Sequence, residues 1–473
     1  MHKAGKDGAH MPVDPMQQRL VDYARLLTYA ALPEDAVHAA KIRIIDTLGS
    51  FMGGYYDEPS RIARELGAEL ACAPGATLIG TNMTTTPEMA AFVNAITGRS
   101  VEANDVTHKA GGRNGHPSDV IMPVLAAAEY VHASGRQFLT AVVLAYEVYL
   151  RVSEAMIAPT FDLSNFCSLA TAVATGRLWG LDATQLAQCI AIVAVSNIAL
   201  TQARTAPLTM WKAGASGEAG RAGIFAARIA RRGMEGAHQP FEGKNGWCKH
   251  IAQKSISLER MGGPGVSFRV QDSIIKPRPS CFLTLTSILA AEKISVALGR
   301  RTDHVQHILV ETYAQARNNC GADAHWWSPD SRESADHSIP YAVAVTLKDG
   351  TVTSHSFDAD RLWDAEVRAL LPKVEVVENM DFSAAYDLWP VQHRTRVTVT
   401  TIEGERVVGE TGGEHGDLSE VWSKERIEAK FRDYAEPMLG AQRATALLAL
   451  LWNLEQIDDV ASIPPQCVVS RQQ

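Results

Sequence analysis

Hydrophobic residues recur every three or four positions through the first half of the chain, which is the spacing of a helix with a buried face. The segment PEDAVHAAKIRIIDTLGSFMGG opens at Pro33 with acidic residues in its first turn and closes on glycine, as helices commonly do. The same periodicity predicts helices over 16–31, 59–71, 86–97, 118–134, 137–157, 164–179, 183–199 and 212–232, and ATLIG at 76–80 is a candidate strand. We therefore predict an all-helical first domain.

The pattern changes near residue 265, where GGPGVSFRV forms a Gly/Pro-rich joint. Strands are predicted at 307–313 and 373–379, and RTRVTVTTIEGERVVGET (394–411) alternates polar and apolar residues around EGE, as a β-hairpin does. Helices are predicted between them, at 282–297, 334–347 and 361–371, and again toward the end of the chain. The chain is thus predicted to be mainly α with an α+β domain: a large helical domain over 1–266, a smaller α+β domain over 267–411, and C-terminal helices over 412–473 that return to the helical domain.

Composition narrows the possible functions. The 473 residues are 46% hydrophobic and 21% charged, and the net charge of −8 makes a nucleic-acid partner unexpected, because phosphate binding needs a basic face. The seven cysteines are scattered without a CxxC pair, which indicates reduced thiols and no zinc or iron–sulfur site. The apolar runs carry polar insertions and the N-terminus lacks a targeting pattern, so we expect a cytoplasmic protein without membrane spans.

Glycines occur at every third position of WKAGASGEAGRAG, at 214, 217, 220 and 223. A phosphate-binding loop is one interpretation, but neither the GxGxxG nor the GxxxxGK spacing is present. Small residues at this spacing also allow two helices to approach closely. We favour the packing interpretation.

The stretch EANDVTHKAGGRNGHPSD (102–119) gathers charged and imidazole side chains between two apolar segments. Pro117 is placed to start a helix, with His116 near its cap and Asp119 in its first turn, where an anion is stabilised. His116 is a candidate general acid or base. A solvated loop is the alternative. A metal site is not predicted, because the spacing of the two histidines matches no standard pattern.

Other polar clusters stand at corners defined by proline or glycine. They contain Arg204 and Lys212 in ARTAPLTMWKAG, Lys276 and Arg278 in IIKPRPSC, and Asp336, His337 and Tyr341 in SRESADHSIPY. Each has a structural interpretation, as exposed cations or as a capped helix with a buried tyrosine. In an acidic protein, cations gathered at such corners can also focus positive potential on an anionic ligand.

Six segments, taken together and in order, resemble the MmgE/PrpD family. They are EANDVTH…HPSD (102–119), PLTMWKAG (207–214), GMEGAHQPFEGKNGW (233–247), IKPRPSC (275–281), SRESADHSIPY (331–341) and EAKFRDYAEP (428–437). The resemblance implies a large helical domain, a smaller α+β lid domain, a homodimer, and no metal or organic cofactor. It also implies chemistry on small di- or tricarboxylates, at the carbon beside a carboxylate.

The resemblance further implies a set of site residues. The catalytic candidates are Asp105, His116, Lys212 and Tyr341, and the substrate-binding candidates are Glu102, Thr107, His108, Ser118, Arg204, Lys276, Cys281 and His337. We expect His116 or Lys212 to act as base or acid, and Lys276 with Arg204 to clamp substrate carboxylates. Tyr341 is expected to be a hydroxyl donor and proton shuttle.

Three departures from the family pattern bear on the reaction. Glu102 stands where relatives usually have Asp, and Cys281 stands where the decarboxylase branch has His. The segment TFDLSNFC (160–167) lacks the histidine that decarboxylase and dehydratase relatives carry there. The expected function is a hydro-lyase resembling 2-methylcitrate dehydratase. An epimerase of an iminodisuccinate-type dicarboxylate is the alternative, and a cis-aconitate-type decarboxylase is less favoured. A binding protein without activity would not need His116, Lys212, Lys276 and Tyr341 together.

Overall fold

The computed structural model describes residues 13–107, 115–156, 160–258 and 260–469. The first half of the chain is helical, as predicted. Its helices are α1 (Pro15–Leu26), α2 (Glu34–Gly53), α3 (Glu58–Glu69), α4 (Pro87–Ser100), α5 (Ile121–Tyr130), α6 (Gly135–Ala155), α7 (Ser164–Leu178), α8 (Ala183–Ser196) and α9 (Trp211–Ala230). Side chains of Asp14, Ser134 and Asp182 cap the starts of α1, α6 and α8. A short antiparallel pair, β1 (Ala71–Thr77) and β2 (Thr84–Thr85), follows α3.

The second half combines a sheet with shorter helices. The elements are α10 (Leu285–Leu298), β3 (Val305–Thr312), α11 (Ala314–Cys320), α12 (Arg332–Ala335), α13 (Ile339–Asp349), α14 (Ala359–Leu362), α15 (Ala365–Leu370), β4 (Val374–Glu378), α16 (Met380–Asp387), β5 (Thr395–Thr401) and β6 (Arg406–Thr411). The sheet order is β4-β3-β5-β6, with β3 parallel to β4 and antiparallel to β5. The hairpin predicted around EGE is the antiparallel pair β5–β6.

The last two helices, α17 (Lys424–Leu439) and α18 (Ala441–Trp452), pack against α2. Their apolar residues belong to the same hydrophobic core as the first half of the chain, whereas the sheet and its helices form a second core. Lys430 holds α17 against the first half of the chain, because its Nζ lies 2.6 Å from Asp46 Oδ1 and donates to the Ala103 carbonyl at 2.7 Å. The predicted fold class, mainly α with an α+β region, is confirmed, while the exact domain boundaries stay predictions.

The glycine stripe on α9 has the packing role that its spacing favours. A Cβ at Gly217 would stand 2.6 Å from the Ile96 side chain on α4, and a Cβ at Gly223 would stand 2.8 Å from the Ser168 carbonyl on α7. Helix α9 therefore approaches both neighbours at a distance that only glycine allows. This close packing fixes the first turn of α9, where Lys212 lies.

The largest differences from the sequence prediction concern short elements. Helices α11 and α16 were not predicted, because seven or eight residues carry too few periodic positions to be recognised. The predicted strand at 76–80 ends at Thr77, and Leu78 begins a turn that its backbone closes with Thr81. Across the described ranges, every helix is too short or too polar to cross a membrane.

Candidate active site

A cavity of about 500 Å³ lies between the two hydrophobic cores, with walls drawn from both. Its volume suits a small organic ligand. The helical half contributes the charged and imidazole side chains of Arg99, Glu102, His116, Arg204 and Lys212. The α+β half contributes Cys281, Phe282, Cys320, Asp323, Trp326 and His337. The cavity therefore brings charged, imidazole and thiol side chains from both halves of the described chain to one place.

Glu102 is the centre of the charged wall. It follows α4 in a left-handed conformation, with φ of +57°, and its side chain is buried. One oxygen lies 3.0 Å from Lys212 Nζ, the other lies 2.6 Å from Lys276 Nζ, and Arg99 Nη1 donates to the same carboxylate. Burial alone would raise the pKa of Glu102, but Arg99, Lys212 and Lys276 outweigh it and hold that pKa well below its usual range. Glu102 is therefore a permanent anion that gathers three cations.

His116 stands beside this cluster with a defined tautomer. Its Nδ1 lies 2.8 Å from the Asp105 carbonyl oxygen, and because a carbonyl only accepts, Nδ1 carries the hydrogen. Nε2 then keeps its lone pair, 3.7 Å from Glu102 Oε1. Burial, followed by Arg99 and Lys276, lowers the pKa of His116 well below its ordinary value. The imidazole is thus neutral at neutral pH and able to accept a proton.

The guanidinium of Arg204 has one nitrogen that makes no hydrogen bond within the described residues. Its Nε and Nη2 donate to the Asp162 carboxylate at 3.1 and 3.3 Å, which fixes the orientation of the group. Its Nη1 is buried and finds no hydrogen-bond acceptor within the described part of the chain. Nε of Arg99 makes no hydrogen bond there either, but it lies 3.7 Å from Asp119 Oδ1. Both arginines line the cavity. A buried guanidinium N–H group without an acceptor is costly, so an anion in the cavity would satisfy Nη1 of Arg204.

His337 lines the facing wall of the cavity, and Asp336 supports it from behind. His337 Nδ1 donates to Asp336 Oδ1 in a short hydrogen bond, and Lys212 Nζ lies 3.4 Å from both oxygens of the same carboxylate. Lys212 therefore bridges the carboxylate of Glu102 in the helical half and that of Asp336 in the α+β half. The two walls are joined by one buried ammonium group.

Comparison with known families fits this architecture. The model of the MmgE/PrpD N-terminal domain matches residues 18–259, and that of the MmgE/PrpD C-terminal domain matches residues 279–456. The chain belongs to the MmgE/PrpD family. A cis-aconitate decarboxylase of Homo sapiens is 26% identical to this MmgE/PrpD protein over 446 residues, which cover 90% of this chain and 89% of that protein.

Two dehydratases are similar to this MmgE/PrpD protein over somewhat shorter spans. The mitochondrial 2-methylcitrate dehydratase of Yarrowia lipolytica is 26% identical over 401 residues, covering 80% of this chain and 75% of that protein. The 2-methylcitrate dehydratase of Salmonella typhi is 23% identical over 385 residues, covering 78% of each. The relatives are lyases by name, and these identities support the family without specifying one reaction.

Three of the predicted site residues hold the wall from behind. Asp105 Oδ1 accepts from the Ser118 backbone N–H at 3.0 Å, and Oδ2 accepts from the Tyr146 hydroxyl at 2.9 Å. Ser118 Oγ accepts from the Asn104 amide at 2.9 Å, and Thr107 pairs through its backbone with Gly115. Asp105, Ser118 and Thr107 are not among the residues that line the cavity. They position His116 in this MmgE/PrpD protein, and the predicted His108 lies outside the described residues.

Lys276 differs from its predicted role as a carboxylate clamp. Its ammonium is fully buried and donates to Glu102 Oε1 at 2.6 Å, to the Glu102 carbonyl at 3.0 Å and to the Ser280 carbonyl at 3.1 Å. An ammonium has three hydrogens, and all three are used. Lys276 therefore fixes the backbone and side chain of Glu102 and has no hydrogen left for a substrate carboxylate.

Tyr341 also differs from its prediction. Its single hydroxyl hydrogen is shared between the carbonyls of Ser356 and Arg361, 3.0 and 3.1 Å from the oxygen, and its ring packs with Phe357 in the second hydrophobic core. It does not line the cavity. Burial raises the pKa of Tyr341 to about 12, so the hydroxyl stays protonated. The geometry gives this tyrosine a structural position instead of a place in proton transfer.

Sequence reasoning missed Arg99 and did not include Asp336 among the site residues. Arg99 ends the apolar helix α4 three residues before Glu102, and that spacing could have indicated an ion pair. Asp336 adjoins His337 in a segment that was singled out. Within the described ranges, no group of three or more His, Cys, Asp or Glu side chains is arranged to hold a metal ion.

Proposed function

We propose that this MmgE/PrpD protein is a cofactor-independent hydro-lyase that acts on a small di- or tricarboxylate of the 2-methylcitrate type. The reaction would remove a proton from the carbon beside a carboxylate and expel the hydroxyl of the neighbouring carbon as water. One observation carries the proposal. The cavity that holds a neutral histidine, His116, is also lined by Arg204, whose Nη1 has no acceptor among the described residues.

Carboxylate binding is assigned to Arg204 and Arg99. The Asp162 carboxylate fixes the plane of the Arg204 guanidinium, so an incoming carboxylate meets a donor that is already oriented. Val106, Leu208 and Leu283 also line the cavity and offer apolar contact to a small alkyl group. A carboxylate beside a methyl-bearing carbon matches both features.

Proton removal is assigned to His116. Its Nε2 is the unprotonated nitrogen, and it takes the proton while the electron pair left on carbon delocalises into the adjacent carboxylate. The Lys212 ammonium, held between Glu102 and Asp336, supplies positive charge beside this developing anion. The C–O bond to the neighbouring hydroxyl then breaks, and the departing oxygen must receive a proton.

Proton NMR of the purified protein in deuterium oxide tests the reaction, with 2-methylcitrate, citrate, cis-aconitate and iminodisuccinate as candidate substrates. We expect the methyl doublet of 2-methylcitrate to fall as the singlet of a methyl group on a double bond rises, whereas dehydration of citrate would give a vinylic proton signal. Release of carbon dioxide from cis-aconitate would replace the hydro-lyase with a decarboxylase. Absence of any change with all four compounds, from a protein whose circular dichroism is that of a folded helical protein, would contradict the proposal.

An epimerase of an iminodisuccinate-type dicarboxylate is the second candidate. The observation that favours it is the presence of imidazoles on both walls, His116 and His337, because an epimerase needs one group to take a proton and another to return it. Deuterium incorporation at the carbon beside the carboxylate, without elimination, would identify this reaction in the same NMR experiment.

A further inference from the structure

The α+β wall of the cavity carries a polar cluster that the proton removal above does not use. Cys281 begins the turn before α10, Cys320 ends α11, and His337 lies between α12 and α13, so three separate elements bring these side chains to the same cavity. Cys320 and His337 both lie close enough to the Cys281 thiol to shift its pKa. The cluster is therefore a built arrangement of two thiols and one imidazole beside the substrate space.

Asp336 holds this cluster together through two different groups. Its backbone carbonyl accepts from the Cys281 N–H at 2.9 Å and from the Ser280 hydroxyl at 2.8 Å. Its carboxylate accepts from His337 Nδ1. One residue thus fixes both the backbone at Cys281 and the imidazole of His337. Because Asp336 also contacts Lys212 at 3.4 Å, the cluster is tied to the charged wall around Glu102.

We propose that Cys281, His337 and Asp336 form the acid centre of this cavity: His337 gives the proton that departs with the substrate hydroxyl, and the Cys281 thiolate together with Asp336 keeps His337 charged. The inference rests on the hydro-lyase proposed above. In the step, the C–O bond breaks with its electron pair on oxygen, an N–H bond of the His337 imidazolium breaks, and the proton joins the oxygen to give water. His337 is the catalytic residue and Cys281 a positioning residue.

The surrounding charges are consistent with this assignment. Hydrogen bonding from Cys320 lowers the pKa of the Cys281 thiol, and His337 lowers it further, so that it lies well below the ordinary value in spite of burial and of Glu102, which raise it. Burial and Lys212 lower the pKa of His337, but Cys281 and Asp336 raise it more, to about 9. Both shifts favour a thiolate–imidazolium pair at neutral pH.

Other buried cysteines in this chain differ from Cys281. Burial raises the pKa of the Cys189 thiol, which lies on α8 in the first hydrophobic core and donates to the Ala172 carbonyl at 3.6 Å. Burial is the cause of this shift, and Cys189 is not among the residues that line the cavity. Cys189 is therefore the matched control for a buried thiol without an acid–base role.

The first experiment needs no substrate. Iodoacetamide is added to the intact protein at a series of pH values, and each cysteine is quantified by peptide mass spectrometry; the sulfur displaces iodide, so only the thiolate reacts. We expect Cys281 to be alkylated with an apparent pKa well below the ordinary thiol value of about 8.5, and Cys189 to remain unmodified. Alkylation of Cys281 only above about pH 8.5 would overturn the ion pair. In Cys320→Ala the pH dependence of Cys281 should move upward.

The second experiment measures His337 itself. Side-chain carbon–proton NMR of protein labelled in its histidines, with the His337 signal identified from its loss in His337→Gln, should titrate near pH 9. In Cys281→Ser the midpoint should fall toward the ordinary value of about 6.5, because the serine hydroxyl stays neutral. The alkaline limb of kcat should move with it. An unchanged midpoint in a folded Cys281→Ser would overturn the inference.

These measurements separate the two proposals. If alkylation and NMR give the thiolate–imidazolium pair but none of the four carboxylates reacts, the hydro-lyase fails and the ion pair stands. If a carboxylate is dehydrated but Cys281→Ser leaves both the His337 midpoint and the alkaline limb of kcat in place, the hydro-lyase stands and the acid centre fails.

Discussion

Glu102 and Glu147 are two carboxylates with almost no solvent exposure, yet only Glu102 lies on the cavity. Glu147, on α6, accepts from Arg151 Nε at 2.7 Å and from the backbone N–H groups of Gly262 and Arg269 at 2.6 and 2.8 Å. Its partners are thus mostly backbone groups that tie a loop to a helix. Glu102 is surrounded by side-chain cations instead.

The difference shows what separates a structural charge from a functional one in this protein. The partners of Glu147 hydrogen-bond that carboxylate within the fold, so its role is to stabilise the structure. The cations around Glu102 belong to a cavity wall that also carries Arg204, whose Nη1 has no acceptor among the described residues, and that stands beside a proton acceptor, His116. Burial of a charge alone does not identify a site. What identifies it is a hydrogen-bond donor or proton acceptor that lines a cavity and is not satisfied by the protein.

The largest expected effect comes from removing the proton acceptor on the Glu102 side. His116→Gln should lower kcat by about 10²–10⁴-fold, because the general base is lost while the amide can still hydrogen-bond the Asp105 carbonyl. The measurement is kcat with the substrate found by NMR. His132→Gln is the matched control, since that histidine is exposed and pairs with Asp459. Equal kcat in His116→Gln and the parent would contradict the assignment.

Glu147→Gln should give the opposite profile, a loss of stability without a specific loss of turnover. Replacing one carboxylate oxygen by an NH2 group places a donor against the backbone N–H groups that now donate to Glu147. Breaking a buried ion pair costs about 3 kcal/mol of folding free energy. Denaturant unfolding measures the change, and kcat is compared well below the unfolding temperature. A large fall in kcat in the folded variant would mean that Glu147 is coupled to the cavity and would weaken the distinction drawn above.

Arg204→Lys tests Nη1 of Arg204, which has no acceptor among the described residues. Lysine keeps the positive charge against Asp162 but lacks the second, oriented N–H group that a substrate carboxylate would meet. A hydrogen bond to a charged group contributes about 1.5–3 kcal/mol, so KM should rise at least about tenfold with a smaller change in kcat. Arg151→Lys, at the Glu147 cluster, serves as the control. An unchanged KM in Arg204→Lys would remove Arg204 from the binding site.

Much of the fold follows from the sequence, because long helices leave a clear periodicity. The placement of His116 before Pro117 also follows, since proline starts the short helix there. The role of Lys276 does not follow, because two of its three acceptors belong to Glu102, which is 174 residues away in the sequence. A lysine next to prolines looks the same in sequence whether its ammonium faces a substrate or a carbonyl.

The direction of a hydroxyl is equally hidden from sequence, and a pair of tyrosines gives the smallest and most discriminating test. Tyr341→Phe should cost about 1 kcal/mol of stability, because two carbonyls in the α+β core lose their donor, and should leave kcat unchanged. Tyr146→Phe removes a hydroxyl that donates to Asp105 at 2.9 Å, and the Asp105 carbonyl orients His116.

We therefore expect Tyr146→Phe to lower kcat and Tyr341→Phe not to, although both side chains are fully buried and lose the same atom. Unfolding in denaturant and kcat at one pH are sufficient measurements for both variants. If Tyr341→Phe instead abolished turnover while remaining folded, the hydroxyl would have to leave its carbonyl partners and reach the cavity during the reaction, and the proton-shuttle role expected from sequence would be restored.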